Sequence, residues 1–249
     1  MAVLQHLLVA QPPWPVMLLP ALAVASAAVS AAAGRPIVLT PLIAVASAIL
    51  GLGCLALAGE PFVHQSIGAT YHVVADAALG AGLLLVLVAW IATLAAGRWR
   101  LVTPALWVAG FAILLLAGVG LDWMHAPRPH ATALFYRLIN LEFVFSVAVL
   151  FALFAGWYAF HPEITGRRYV PALGVLQFLF AFAGAALVFA YSPYPLGDMP
   201  GIRVVDVRAA ASQVWLAGLG IYLAAGSLVF FVLGVAVARK RDEGRTELV

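Results

Sequence analysis

The chain has 249 residues, of which 65% are hydrophobic and only 9% charged, whereas a soluble domain carries about 25% charged and roughly 45–50% apolar residues. No water-soluble fold of this size hides so much apolar surface, so the sequence reads as all-α, a polytopic membrane helix bundle forming a single transmembrane domain over 1–249. The formal charge of +3, from 13 Lys+Arg against 10 Asp+Glu, is too small and too dispersed for a nucleic-acid partner. The lone Cys54 excludes an internal disulfide and any Cys-pair metal site, and reads as a small core residue.

A spanning helix needs about 20 predominantly apolar residues. Seven stretches qualify: about 14–34, 37–58, 70–96, 101–121, 132–160, 170–191 and 209–238, followed by a solvated tail, 239–249. The first ten residues lack a basic segment and the first strong apolar run is long enough to span, so no cleavable signal peptide is expected. Gly34-Arg35-Pro36 predicts a tight basic turn. Gly59-Glu60-Pro61 closes the second helix and opens a loop to Thr70. Gly97-Arg98-Trp99-Arg100 is short and basic. Asp122 to Ala131 holds two prolines and two histidines, and His161 to Tyr169 is a polar break with two arginines. Ser192 to Arg208, with Pro193, Pro195 and Pro200, is the longest loop. The stretches 70–96 and 132–160 exceed one upright span, which predicts tilt or extension beyond the bilayer. No internal repeat is visible, so an inverted-repeat transporter is not supported.

Orientation follows from the Lys/Arg asymmetry of the loops. Arg35, Arg98, Arg100, Arg167, Arg168, Arg239, Lys240, Arg241 and Arg245 fall on one side, nine in all; Arg128, Arg137, Arg203 and Arg208, four, fall on the other. The N-terminus is expected outside and the C-terminus in the cytoplasm, in a membrane expected to be the bacterial inner membrane.

An ionisable residue within a span is costly and marks a candidate site. Asp76 lies one turn after His72, so both project from one helix face and could take up a proton or a metal; a structural His–Asp pair is the plainer reading. Glu142 follows Asn140 and Arg137 on the fifth helix, and its carboxyl must be paired or carry its proton. Gln177 reads as a hydrogen-bonding contact between helices. His6, His64, His72, His125 and His130 fall on or near the outer side, and His161 on the inner. Imidazoles suit copper, iron or zinc, so His64, His72, His125 and His130 are the candidate metal ligands if their loops converge. Trp90, Trp107, Trp123, Trp157 and Trp215 read as packing and interface residues.

Several short runs, in order, resemble the C-terminal half of haem–copper oxidase subunit I, the catalytic subunit of cytochrome c oxidase. Phe151-Ala152-Leu153-Phe154-Ala155-Gly156-Trp157, followed by His161-Pro162-Glu163-Ile164-Thr165-Gly166-Arg167-Arg168-Tyr169, is similar to the end of the family's tenth helix and the loop after it. Ala92-Thr93-Leu94 and Thr103-Pro104-Ala105-Leu106-Trp107-Val108-Ala109-Gly110-Phe111 resemble its eighth-to-ninth helix junction. Gln5-His6-Leu7, Leu18-Leu19-Pro20 and Arg35-Pro36 resemble the sixth helix and its approach, and Gly197-Asp198-Met199-Pro200 the loop before the last helix. The resemblance implies a seven-helix bundle equivalent to the family's helices six to twelve.

It also implies where redox ligands would stand, and other residues stand there. The family's sixth-helix His-Pro-Glu-Val-Tyr falls at Gln11-Pro12-Pro13-Trp14-Pro15. Its adjacent copper-binding histidines fall at Leu57 and Ala58, and its proton-channel lysine at Val86. The tenth-helix His-Phe-His, which binds both haem irons, falls at Asn140-Leu141-Glu142. The Arg-Arg that holds haem propionates falls at Gly201-Ile202, with Arg203 just beyond. No His-His or His-x-His occurs anywhere in the chain. The expectation is a degenerate, non-catalytic subunit I-like protein without haem, acting as an accessory, assembly or interaction subunit of a respiratory-type complex. Its expected partners are lipid and other membrane subunits, including one that supplies the missing N-terminal helices. Two alternatives stay open: a split oxidase-like enzyme with a relocated copper site at the outer histidines, and a proton or small-solute conduit using Asp76 and Glu142.

Overall fold

A computed structural model describes residues 14–59, 65–98, 102–125, 130–191 and 207–240, with side chains described except at 14–16, 57–59, 65–72, 76, 121–125, 130–143, 191, 207–213 and 239–240. Within these segments the fold is all-α apart from one small ribbon. The helices are α1 (Trp14–Ala33), α2 (Thr40–Gly59), α3 (Gln65–Ala96), α4 (Val102–His125), α5 (His130–Thr165), α6 (Pro171–Tyr191) and α7 (Val207–Ala236). Two-residue strands β1 (Arg167–Arg168) and β2 (Arg239–Lys240) pair antiparallel. Stretches in α3 to α7 are long and apolar enough to cross a membrane: Val73–Ala96, Val102–Gly120, Val144–Thr165, Pro171–Ala190 and Val214–Ala236. Met17–Ala33 and Thr40–Ala56 are shorter apolar helices.

In lipid, helices gain little by hiding apolar surface from one another, so association relies on close packing of small side chains. Helix α1 is built for this. Its buried positions Leu18, Ala21, Leu22, Ala25, Ala28, Val29, Ala32 and Ala33 recur at three- and four-residue spacing, and α1 touches α2, α3, α4 and α5. Helix α5 answers with Val144, Phe145, Ala148, Phe151, Ala152, Ala155 and Ala159. Cys54 is buried in this core as a small apolar residue.

Glycine ends α1. Gly34 adopts φ 64°, a left-handed conformation costly for other residues. The Arg35 N–H then bonds back to Ser30 O at 3.1 Å, a Schellman-type cap. The same turn is tied to the end of α3: Arg35 Nη1 donates to Ala96 O at 2.7 Å, the Arg98 N–H to Ala33 O at 3.1 Å and the Val38 N–H to Thr93 Oγ1 at 3.1 Å.

Helix α5 runs further than the sequence suggests. The polar run beginning at His161 predicts a loop, but the helix continues through Pro162 to Thr165. Proline there removes a single bond, to the Tyr158 carbonyl. The extension is retained because His161 turns inward, 1% exposed, and the Thr165 hydroxyl donates to His161 O at 2.7 Å. Gly166, with φ 64°, then stops the helix, its N–H bonding to Pro162 O at 3.1 Å.

Helices α6 and α7 pack chiefly on each other, through a contact that only glycine permits. A Cβ on Gly184 would lie 2.6 Å from Gly220 O, and one on Gly220 would lie 2.7 Å from Gly184 O. Gly220→Val therefore separates this pair and is expected to cost about 1–3 kcal/mol. Gly218→Ala, whose added carbon meets nothing within 4 Å, should leave stability unchanged or slightly raised. Denaturant unfolding in detergent micelles checks this; equal effects of the two substitutions would contradict it.

Candidate functional site

Buried polar side chains are expensive in a membrane unless partnered, so they locate the candidate site. Among the described residues these are Thr93, Thr103, His161, Gln177 and Ser227. Thr93 and Ser227 bond to carbonyls of their own helices, at Ala89 O (2.7 Å) and Ala224 O (2.6 Å). The other three belong to one cluster where α4, α5 and α6 meet.

Tyr158 is its centre. Its hydroxyl donates to Gln177 Oε1 across the α5–α6 junction. Its ring lies 4.8 Å from that of Tyr169 and stacks on Trp107 with centroids 6.4 Å apart. Gly174 admits Thr103 to the same place: a Cβ there would lie 2.6 Å from Thr103 Cγ2 and 3.1 Å from the Tyr158 ring. Toward the end of α5, the His161 ring lies 5.2 Å from Trp157 and 5.9 Å from Tyr169. Both of its nitrogens are 3.5 Å from Thr165 Oγ1, which also accepts the Arg167 N–H at 3.2 Å. A file of polar groups thus runs from the basic turn at Arg167 through His161 and the two tyrosines to Gln177.

Burial holds the Tyr169 phenol above the ordinary tyrosine range, with the Thr103 hydroxyl beside it pulling the other way. That hydroxyl still closes no hydrogen bond of normal geometry. The same holds for Trp107 Nε1 and Gln177 Nε2, so buried donors collect around Tyr158 without acceptors among the described residues. Indole N–H and amide NH₂ donate only, so the cluster suits oxygen acceptors and offers a metal one imidazole. Among the described residues no three His, Cys, Asp or Glu come together as a metal cluster.

The metal and intramembrane candidates lie toward the other end. Helix α3 carries His72 and Asp76 one turn apart near its start, and its far end, Ala96, meets the basic turn at Arg35. His125 is the last residue of α4 and His130 the first of α5. The alternating helix directions therefore bring His72, Asp76, His125 and His130 to the end of the bundle opposite the basic turns. Arg137, Asn140 and Glu142 follow along α5. The side chains of these seven lie outside the described residues, and His6 and His64 lie outside them altogether. Of the positions where oxidase ligands and channel residues would stand, Val86 is 2% exposed in the apolar core of α3. Leu57 and Ala58 are on α2, and Asn140 to Glu142 on α5. Gln11 to Pro13 and Gly201 to Ile202 fall outside the described residues.

The comparison with known families decides what this bundle is. The model of the family "Cytochrome C and Quinol oxidase polypeptide I" matches residues 12–229. The chain belongs to this family. It is 33% identical over 152 residues to a protein of Cereibacter sphaeroides named cytochrome c oxidase subunit 1, covering 59% of this chain and 26% of that protein. It is also 33% identical over 126 residues to a putative cytochrome c oxidase subunit 1-beta of Streptomyces coelicolor, covering 49% of this chain and 22% of the relative. The chain thus spans about a quarter of the length of these curated relatives. Oxidase-family membership and the apolar helices make it an integral membrane protein.

Within this oxidase-family bundle, Gln177 does join helices, as its polar character in an apolar stretch suggested. Its partner Tyr158 left no mark in the sequence, because the bond closes 19 residues away across a turn. Tyr158→Phe leaves Gln177 Oε1 without its donor and is expected to cost about 1–3 kcal/mol. Adding Gln177→Met removes the orphaned amide too, so the double variant should be more stable than Tyr158→Phe alone. Thermal unfolding of the three proteins reads this, and additive losses would contradict it.

Proposed function

We propose that the chain is a non-catalytic, cytochrome c oxidase subunit I-like protein, an accessory, assembly or interaction subunit of a respiratory-type membrane complex. The observation that carries this reading is the donor set. Where a family member would place histidines for the haem irons, α5 carries Asn140, Leu141 and Glu142, and the chain contains no His-His or His-x-His. An amide, an alkyl group and a carboxylate do not fit haem iron, which is held by imidazole or sulfur ligands and, in catalase, by tyrosine. The residues present therefore do not suit the family's haem groups. At Val86 an apolar side chain stands in the packed core where the resemblance places a proton-channel lysine.

The partners in this reading are other membrane subunits. Helix α7 leaves Val214, Trp215, Ile221, Tyr222, Val229 and Val232 exposed, an apolar surface available to such a subunit or to lipid. Gathering of basic turns at one end supports an orientation with the C-terminus in the cytoplasm; the membrane in this reading is a bacterial inner membrane.

A second reading draws on the shared end of His72, His125 and His130: a relocated copper site in an oxidase-like enzyme, with imidazole donors suited to copper. One preparation tests both. Protein purified in mild detergent should show no haem absorbance and substoichiometric copper. A stoichiometric haem spectrum overturns the non-catalytic reading. One equivalent of copper, lost on His125→Ala, establishes the second reading in its place.

A further inference from the structure

The ribbon at the basic end has an arrangement that like charges disfavour. Its register sets Arg167 opposite Lys240 and Arg168 opposite Arg239. Residues directly opposite in an antiparallel pair have Cβ atoms about 4.5–5.5 Å apart, and like charges there destabilise the pair. The backbone register therefore sets two cationic positions opposite two others. Arg167 and Arg168 are exposed, and no carboxylate among the described residues pairs with them. The ribbon is nonetheless held in place: Thr165 Oγ1 accepts the Arg167 N–H, and Gly166 turns the chain out of α5.

The surroundings say what would neutralise it. β1 begins two residues after the apolar stretch of α5 ends at Thr165, and β2 begins three residues after that of α7 ends at Ala236. The four cations therefore stand where membrane helices emerge, at the level of lipid headgroups. Directly beneath them are exposed apolar side chains: Ile164 at 67%, Val235 at 40% and Val237 at 47%. Val232 and Leu233 continue that exposed surface one turn deeper along α7. A cationic clamp above an apolar track is complementary to an amphiphile with an anionic head and an acyl chain.

We propose that the β1–β2 ribbon is a binding site for an anionic phospholipid. Its phosphodiester is clamped between opposing cations of the ribbon, and its acyl chain lies along Ile164 and the exposed face of α7. Phosphate offers acceptor oxygens that match arginine's planar fork, so each clamp answers a phosphate better than two separate surface lysines would. The site also links the end of α5 to the end of α7, so an occupied ribbon would hold the α6–α7 pair to the rest of the bundle. This inference is independent of whether the protein is catalytic.

Native mass spectrometry and thermal unfolding test it on the intact protein. Phosphatidylglycerol is expected to remain bound several-fold more than phosphatidylcholine and to raise the unfolding temperature more. The substitutions Arg167→Gln, Arg168→Gln, Arg239→Gln and Lys240→Gln together should abolish that preference. Arg98→Gln, off the ribbon, should preserve it. Inorganic phosphate alone should not reproduce the stabilisation. Equal retention of the two lipids by the native protein, a preference that survives the fourfold change, or full stabilisation by inorganic phosphate would each overturn the proposal.

Discussion

The close approach of α1 to its neighbours is the constraint on which the bundle depends. With lipid as the solvent, no water is released when two apolar helices meet, and the attraction must come from atoms in van der Waals contact. Such contacts weaken steeply with small gaps, which favours alanine and glycine along the seams. Five of the seven buried positions of α1 from Ala21 to Ala33 are alanine. Gly156 lets α5 close on Val24. Gly97 does the same at the basic end, where its missing side chain leaves room for Ala33. Larger residues at these places would push α1 off centre and open the four contacts it makes.

Polar groups then fix a register that packing alone leaves free to slide. Trp90 Nε1 donates to Ser26 Oγ at 2.9 Å, joining α3 to α1. Arg35, Val38 and Arg98 lock the α1–α2 turn to the end of α3, and Tyr158 with Gln177 joins α5 to α6. These bonds concentrate toward the end that carries the basic turns. That half of the molecule is aromatic as well: Trp107 contacts Phe151, Phe154 and Phe178 at centroid distances of 4.7–5.5 Å. In this region the oxidase-family bundle is held together by its own side chains.

Much of this was legible in the sequence because a membrane span is a long, continuous signal. Gly34 announced a helix end and adopts the left-handed conformation; Gly166, inside the run read as a loop, adopts it too and is where α5 stops. The extent of α5 was not legible, since His161-Pro162-Glu163 has the composition of a loop. Its helical state depends on His161 packing against Tyr169, beyond the helix, as well as Trp157 one turn earlier. The pairing of Arg167–Arg168 with Arg239–Lys240 was hidden for the same reason: it joins residues more than seventy positions apart. The candidate site divides likewise. Gln177 stood out as a polar residue in an apolar stretch, whereas Trp107 looked like ordinary packing and Tyr158 did not stand out. The outer histidines and Glu142 were conspicuous by type, and the helices place His72, His125 and His130 toward one end, but type alone assigns them no chemistry.

The non-catalytic reading proposed above requires that the chain's own seams hold the bundle without the family's metal groups. If α1, α5 and the Gly184–Gly220 contact carry the architecture without haem, folding must be indifferent to haem supply. Expression in a haem-auxotrophic host, with and without a haem precursor, tests this most directly through the yield and melting transition of the purified protein. The same yield and the same transition are predicted in both cultures. Folded protein that appears only when haem is supplied would contradict a self-sufficient scaffold.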